Sequence, residues 1–417
     1  MTGEAPSATG DINHIALFVP TLSGGGVQRV VLIMAQELTA RGYRVDLLVA
    51  RAEGSFVAAL PAGVRLLELG MASHLRARAA LLVADPGGIA VLARPLLFAL
   101  GIGPAIRAVP ALARYLRETR PDVLFSAKIN ANLAALLARR WAGADLPVVV
   151  SERVNIADKV ATSRRWRWRF IAPAIRRYYA QADAIVAVSG GTAEGFARVT
   201  GVPRERVRVI YNPVVGPTLK AQAAEPCDHP WLSENRREPV VLAVGRLETR
   251  KGFDVLLEAL ARVRAQRPVR LILLGEGGDR SRLESRVAAL GLTGAVDMPG
   301  WWENPFAFMA RADLFVLASD YEGLPGVLIQ AMACGCPVVS TDCPDGPREI
   351  LEDGRHGRLV PMRDPAAMAK AMIQVLESPP AAPDQLQARA DDFSVQEAIT
   401  RYERLFRAVA QRHEAAG

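Results

Sequence analysis

The chain has 417 residues, half of them hydrophobic, and a formal net charge of +8. That length favours two domains with sizeable cores, and the positive balance points to anionic partners: a nucleotide, a nucleic acid or a membrane surface. No apolar run of about 18 residues predicts a spanning helix, and Met1 to Asp11 lacks the basic-then-apolar pattern of a signal peptide, so a cytoplasmic chain is expected. Cys334, Cys336 and Cys343 cluster as C-x-C-x6-C with no histidine near them. Together with Cys227 they are expected as small buried thiols and not as metal ligands.

Ile15 to Pro20 predicts a short strand running into Ser23-Gly24-Gly25-Gly26, followed by a helix over Val27 to Ala40 and a strand from Arg44 to Ala50. Glycines in such a first turn let the backbone approach a ligand and offer it N–H groups; the alternative is a plain flexible turn. The spacing is not G-x-G-x-x-G, so the dinucleotide fingerprint is absent.

Leu75 to Arg117 carries six arginines against one acid, Asp85, with apolar clusters such as Leu96-Leu97-Phe98-Ala99-Leu100 between them. A basic, apolar, interrupted stretch fits contact with anionic lipid; the alternative is a pair of core helices with solvated arginines. Asp122 to Ser126 predicts a strand, and Ala127 to Arg140 a loop and helix with Lys128, Asn130 and Asn132 at its start. Pro147 to Val150 predicts a strand ending in Ser151-Glu152-Arg153. Arginine and tryptophan alternate over Ser163 to Phe170, with no acid between Asp158 and Asp183. That pattern suits a phospholipid interface better than stacked bases, because no nucleic-acid module is recognisable. Ala184 to Ser189 and Val207 to Tyr211 complete this half as strands, and periodicity is then lost across 214–239, which reads as a linker.

The second half restarts at Val240 to Gly245, followed by Arg246-Leu247-Glu248-Thr249-Arg250-Lys251-Gly252 and a helix over Phe253 to Arg264. Further strands are predicted at Val269 to Leu274, Asp313 to Leu317 and Pro337 to Ser340, Val296-Asp297-Met298-Pro299-Gly300 leads to Trp301-Trp302, and an amphipathic helix is predicted at Val395 to Arg412. Regular alternation of strand, loop and helix implies parallel sheets covered by helices, here two of them facing a cleft. The stretch Ser319-Asp320-Tyr321-Glu322-Gly323-Leu324-Pro325-Gly326 falls between a strand and the start of a helix that Gly335 ends. A helix N-terminus there attracts an anion, and Glu322 sits beside it, suited to a polyhydroxylated group.

These pieces together resemble a retaining glycosyltransferase of family 4 with the GT-B fold. The resemblance rests on Val244-Gly245-Arg246-Leu247 with Lys251-Gly252-Phe253, Glu322-Gly323-Leu324-Pro325, the run Ala331 to Val339, and Gly346-Pro347-Arg348-Glu349-Ile350. In the first half Gly24-Gly25-Gly26, Ser189-Gly190-Gly191 and Ile210-Tyr211-Asn212-Pro213 fit as well. It implies two Rossmann-like domains facing an interdomain cleft: an acceptor-side domain at 1–213, a linker at 214–239, a nucleotide-sugar donor domain at 240–390, and a C-terminal helix at 391–417 returning to the first domain. It also implies catalytic roles for Arg246, Lys251 and Glu322. The two cations would neutralise the donor diphosphate and the leaving-group charge, and Glu322 would contact the sugar hydroxyls. Donor contacts would come from Gly25, Gly26, Gly323, Leu324, Pro325, the N–H groups of Gly326, Val327 and Leu328, and Gln330. Trp301 would lie near the base or else in the core.

Two departures from the family pattern stand out. Gln330 occupies the second position of the family's E-x7-E pair, where it can still accept one hydrogen bond from the ribose. No histidine follows Phe125, so Lys128, Asn130, Glu152 and Arg153 are the acceptor-side candidates. No D-x-D triplet occurs, and the expected reaction needs no metal or other cofactor, the nucleotide sugar being a substrate. The expected function is transfer of a hexosyl or N-acetylhexosaminyl group, from a UDP-sugar, to a lipid-linked or cell-envelope glycan such as lipopolysaccharide. The enzyme would be peripheral on the inner face of the plasma membrane and would have no nucleic-acid partner. The alternatives are a nucleotide-sugar-binding membrane protein without transferase activity, and an epimerase or phosphorylase on the same fold.

Overall fold

The computed structural model describes residues 12–23, 25–98, 101–153, 156 and 170–415. Gly24 and the arginine-tryptophan alternation up to residue 169 lie outside the described residues. The chain divides into two compact units, one of residues 1–213 with 398–417 and the other of residues 214–397.

The first unit is built on a seven-stranded parallel sheet in the order β3-β2-β1-β4-β5-β6-β7. Its strands are β1 (His14–Val19), β2 (Arg44–Val49), β3 (Arg65–Glu68), β4 (Val123–Ala127), β5 (Val148–Glu152), β6 (Ala184–Ala187) and β7 (Val207–Val209). Every residue of β1, β4, β5 and β6 is buried. Helices cover both faces of a parallel sheet, so its inner strands appear in sequence as unbroken apolar runs. Edge strand β3 (Arg-Leu-Leu-Glu) is half-exposed and too short to show such a run, so the sequence reading passes over it.

Helices α1 (Gly26–Ala40), α2 (His74–Ala84), α3 (Val109–Thr119), α4 (Ile129–Ala142), α5 (Ile171–Tyr179) and α6 (Gly190–Thr200) belong to this unit. Leu112, Leu133, Leu137, Ile175 and Tyr178 from these helices share one core cluster. The C-terminal helix, running Val395–Glu414, also packs here from Ala398 onward. Its Tyr402 and Phe406 rings meet Phe125 at centroid distances of 5.5 and 6.0 Å, and Glu403 pairs with Arg41 at 2.7 Å.

Asp85, between α2 and the turn Pro86–Gly88, is buried. It accepts hydrogen bonds from Arg177 Nε at 2.8 Å and Tyr178 OH at 3.0 Å, and lies 3.3 Å from Arg140 Nη2. The Arg177 hydrogen bond holds its carboxyl below the usual range. A carboxyl depressed in the folded state contributes stability that is complete above its unfolded pKa of about 3.9 and disappears as pH falls through the folded value. Asp85→Asn is therefore expected to lower the melting temperature at neutral pH and to flatten its further fall on acidification. Melting curves on either side of pH ~4 read this directly.

The second unit holds a six-stranded parallel sheet in the order β10-β9-β8-β11-β12-β13. Its strands are β8 (Val240–Val244), β9 (Arg270–Leu274), β10 (Val296–Gly300), β11 (Leu314–Leu317), β12 (Val338–Thr341) and β13 (Arg358–Val360). Residues 214–239, expected as a linker, instead include helix α7 (Pro217–Ala224), whose carbonyls Gln222 and Ala223 accept hydrogen bonds from Asn304 and Arg311. Further helices are α8 (Phe253–Arg264), α9 (Arg280–Ala289), α10 (Gly326–Ala333), α11 (Pro365–Glu377) and α12 (Pro383–Asp391). Leu256, Leu260, Leu271, Val316 and Met372 lie at the heart of this unit's core.

Candidate active site

In each sheet the strand order reverses direction beside the first strand, between β1 and β4 in the first unit and between β8 and β11 in the second. The loops at the carboxyl ends of such a strand pair diverge and leave a crevice for a ligand. In the second unit those two loops are the one after β8, carrying Arg246 to Gly252, and the one after β11, carrying Ser319 to Pro325.

The two loops meet through Lys251 and Glu322. Lys251 Nζ donates to Glu322 Oε1 at 2.6 Å, with both side chains nearly buried at 12% and 11% exposure. Ser319 Oγ donates to the same carboxylate oxygen at 2.7 Å, and Arg250 Nη1 approaches the other at 4.0 Å. The carboxylate is thus fixed by a cation and a hydroxyl, while an ammonium with three donors keeps capacity for an anion. Arg246 is different: its side chain is 65% exposed and donates to Glu248 at 3.1 Å. Burial would raise the Glu248 carboxyl, but hydrogen bonds from Arg250 and Arg246 hold it below the usual range.

Glycines allow these loops to approach one another. Gly252 has φ +62°, and a Cβ there would fall 2.1 Å from the Ala318 carbonyl oxygen. Gly275, after β9, has φ +139°, and its Cβ would fall 1.9 Å from the Gly245 carbonyl oxygen. At the end of β12, Thr341 Oγ1 donates to the Ser319 carbonyl at 2.6 Å. Cys343 is buried, and burial together with the Glu322 charge pushes its thiol up to about 12. All four cysteines are free thiols. Among the described residues no group of three or more His, Cys, Asp or Glu gathers as a metal-ligand set.

Helix α10 begins at Gly326 after Gly323, Leu324 and Pro325, and no side chain caps it. Of the three amides expected to hold phosphate, Leu328 N–H is already donated to the Pro325 carbonyl at 3.0 Å. A first-turn 3₁₀ bond of this kind satisfies one of the helix's starting donors, leaving Gly326 and Val327 as the better-placed pair. Gln330 sits half-exposed one turn on. Trp301 follows β10 and is 70% exposed, so it is not a core residue; Trp302 packs on Phe308 at 4.8 Å.

In the first unit Gly25 has φ +132°, a conformation that favours glycine, and opens α1 with Gly26, whose Cβ would meet nothing within 4 Å. Lys128 opens α4 after β4 with φ +85°. A non-glycine residue in that region costs energy that the surroundings must hold in place, a feature that clusters at functional sites. Asn130 is half-exposed just beyond it.

Glu152 and Arg153 are both buried. Glu152 is 1% exposed and accepts from Asn132 Nδ2 at 2.9 Å and from Tyr179 OH. Arg153, also buried, donates to Asn212 Oδ1 at 2.5 Å and to Tyr402 OH at 3.1 Å. Buried charges must be paired and hydrogen-bonded, and partners up to 249 residues away in sequence supply this. The sequence assigns no role to Ser319, Thr341 or Asn132; Ser319 and Thr341 show only as polar residues after an apolar run, and Asn132 only as a polar residue at the start of a predicted helix.

The chain matches two family models. The one described as Glycosyltransferase Family 4 covers residues 24–215, and the one described as Glycosyl transferases group 1 covers residues 238–378. The lipopolysaccharide core biosynthesis glycosyltransferase LpsE of Rhizobium meliloti is 37% identical over 48% of this chain and 55% of its own length. An N-acetylgalactosaminyltransferase of Campylobacter jejuni, named for a diphospho-undecaprenol-linked substrate, is 30% identical over 48% of this chain and 52% of its own. The chain thus spans about half the length of these curated relatives. Among solved structures, the lipopolysaccharide outer core galactosyltransferase WaaB superposes with a TM-score of 0.69 at 20% identity, over 94% of this chain and 98% of that one. Anabaena Alr3699/HepE, solved with UDP, gives 0.71 at 20% identity, over 93% and 98%. Two Rossmann-like parallel-sheet domains of the GT-B type and the two matched family models place the chain in the group 1, family 4 glycosyltransferases.

Proposed function

We propose that the chain is a retaining, metal-independent glycosyltransferase of lipopolysaccharide or polysaccharide biosynthesis. It moves a hexosyl or N-acetylhexosaminyl group from a UDP-sugar to a lipid-linked or cell-envelope glycan, at the cytoplasmic face of an anionic membrane. The observation that carries this reading is the nearly buried Lys251–Glu322 pair at 2.6 Å, at the point where the second sheet reverses its strand order. Charge developing on a leaving diphosphate is stabilised best by a cation already fixed in a site of low water content. Lys251 supplies that cation and Arg246 a more exposed second one, which supports a reaction without a metal. Glu322, held by Ser319 and Lys251, accepts hydrogen bonds from sugar hydroxyls and orients the anomeric carbon. The amides of Gly326 and Val327 meet the phosphate.

Glu322 is committed to Lys251, Ser319 and the sugar hydroxyls, and retention is assigned to front-face displacement. The anomeric carbon–oxygen bond to the diphosphate breaks as the acceptor oxygen bonds to the same face. The acceptor proton passes to the leaving phosphate oxygen. Gln330 is assigned to the ribose through its amide oxygen, and Lys128 and Asn130, half-exposed after β4, are assigned to the acceptor.

A ligand that binds only the native state raises its melting temperature. Across a panel of nucleotide sugars, a UDP-sugar is expected to give the largest rise, and Glu322→Ala to reduce the sugar-dependent part while leaving the rise with UDP alone. A panel in which no nucleotide sugar moves the transition would sink the reading.

A further inference from the structure

Among the described residues eight large apolar side chains are exposed, and five of them, Leu75, Leu82, Val83, Ile89 and Phe98, fall within one stretch of α2 and the turns after it. Leu75 and Phe98 are 76% and 75% exposed. Along α2 the exposed positions Leu75, Ala79, Leu82 and Val83 recur at helical spacing and form one outward stripe. The opposite face, Ala77, Ala80, Leu81 and Ala84, is buried. A helix apolar on both faces belongs inside a protein or against another apolar phase, and the outward stripe of this one meets solvent.

The charge around the stripe is one-sided. Arg76 and Arg94 are exposed beside it, and Asp85 is the only acid between Leu75 and Arg117. Asp85 is buried and answered by Arg140, Arg177 and Tyr178, so it offers no negative charge to the surface. Arg94 lies 4.7 Å from the centroid of the Phe170 ring.

We propose that this outward face of α2, with the turns Ile89–Leu92 and Ala93–Leu97, seats the protein on an anionic phospholipid surface. The inference rests on the proposed transferase acting at a membrane, and it assigns the docking element. The element lies on the bilayer and does not cross it. No single described helix is long and apolar enough to span, and the two arms His74–Ala84 and Pro86–Leu97 bend by 104°. Leu81, Leu92 and Leu96 also anchor its inner side in the first unit's core. A second copy of the chain is the poorer occupant, because a self-complementary contact would set Arg76 and Arg94 against the same unneutralised arginines. A lipid surface answers both features, acyl chains for the apolar side chains and phosphate for the guanidinium groups.

The test is flotation with vesicles of phosphatidylcholine, with and without phosphatidylglycerol. The wild-type chain is expected to float with the phosphatidylglycerol vesicles, less so as salt rises. Leu75→Ser/Val83→Ser/Phe98→Ser should bind them at least about tenfold more weakly, and Arg76→Ser/Arg94→Ser should lose the preference for the anionic lipid. UDP release from a UDP-sugar in detergent, with the melting temperature, shows that each variant is folded. A wild-type chain that does not float overturns the proposal, as does a triple variant that floats equally well, or self-association through these residues without flotation. A wild-type chain that releases UDP but does not float counts against the docking element alone; a wild-type chain that floats but releases no UDP counts against the transferase reading alone.

Discussion

Lys251→Ala is expected to lower kcat for sugar transfer by about 10²–10³-fold, the cost typical of removing one fixed transition-state charge partner. The reason is its position. The ammonium is nearly buried, bonded to Glu322 at 2.6 Å, and held by a loop that Gly252 brings against Ala318. In the proposed reaction its removal would withdraw the cation from the leaving diphosphate and leave the Glu322 carboxylate beside it without its main counter-charge. The loss should therefore fall mainly on kcat, with a smaller rise in donor KM. Arg246→Ala should cost less, about tenfold, because a mostly exposed guanidinium shared with Glu248 is screened by water. Steady-state UDP release for the two variants measures both. A Lys251→Ala enzyme within about twofold of wild type would show that the pair is structural only.

The second large effect is on stability. Gly275→Ala should destabilise the second unit by about 3 kcal/mol or more, because a Cβ 1.9 Å from the Gly245 carbonyl oxygen meets backbone that belongs to the neighbouring loop and cannot turn aside. The backbone at φ +139° adds strain for any side chain. For a unit of this size the melting temperature should fall by roughly 10 °C. Gly278→Ala, three residues on, is the control: its Cβ would meet nothing within 4 Å, and its φ is not positive. It should be neutral or stabilise by about 0.4–1 kcal/mol through the unfolded chain. Equal melting temperatures for the two variants would contradict the account of these loops as packed backbone against backbone.

Much of the fold is legible in the sequence because inner strands of covered parallel sheets are unbroken apolar runs. Leu17, Leu124, Val149 and Leu242 all sit in such runs, and all are fully buried. Edge strands β3, β10 and β13 are too exposed or too short to carry such a run and went unpredicted, whereas edge strand β7 was read within Val207 to Tyr211. Helix α7 was hidden by the prolines around it, although Pro217 stands at its first turn, where proline is tolerated.

The site was legible where its residues share a short loop, as Glu322 to Gly326 do. Lys251 and Glu322 were each named, but which residues pair across long stretches of the sequence was not legible. Lys251 and Glu322 are 71 residues apart, Arg153 and Tyr402 are 249. Glu152 and Arg153 were acceptor-side candidates for want of a histidine after Phe125; in the structure Asn132 and Tyr179 bond to Glu152, and Asn212 and Tyr402 to Arg153. The basic apolar stretch after Ser73 was visible as composition. Only the packing of Ala77, Leu81 and Ala84 shows which of its faces is left outward.

The measurement closest to the central claim is UDP release from UDP-sugars with and without lipid-linked glycan acceptors, in the absence of added divalent metal. The account predicts acceptor-dependent release by the wild-type chain, a product with the donor's anomeric configuration, and near-complete loss of both in Lys251→Ala. Release that requires a divalent metal, or that Lys251→Ala leaves intact, would contradict it.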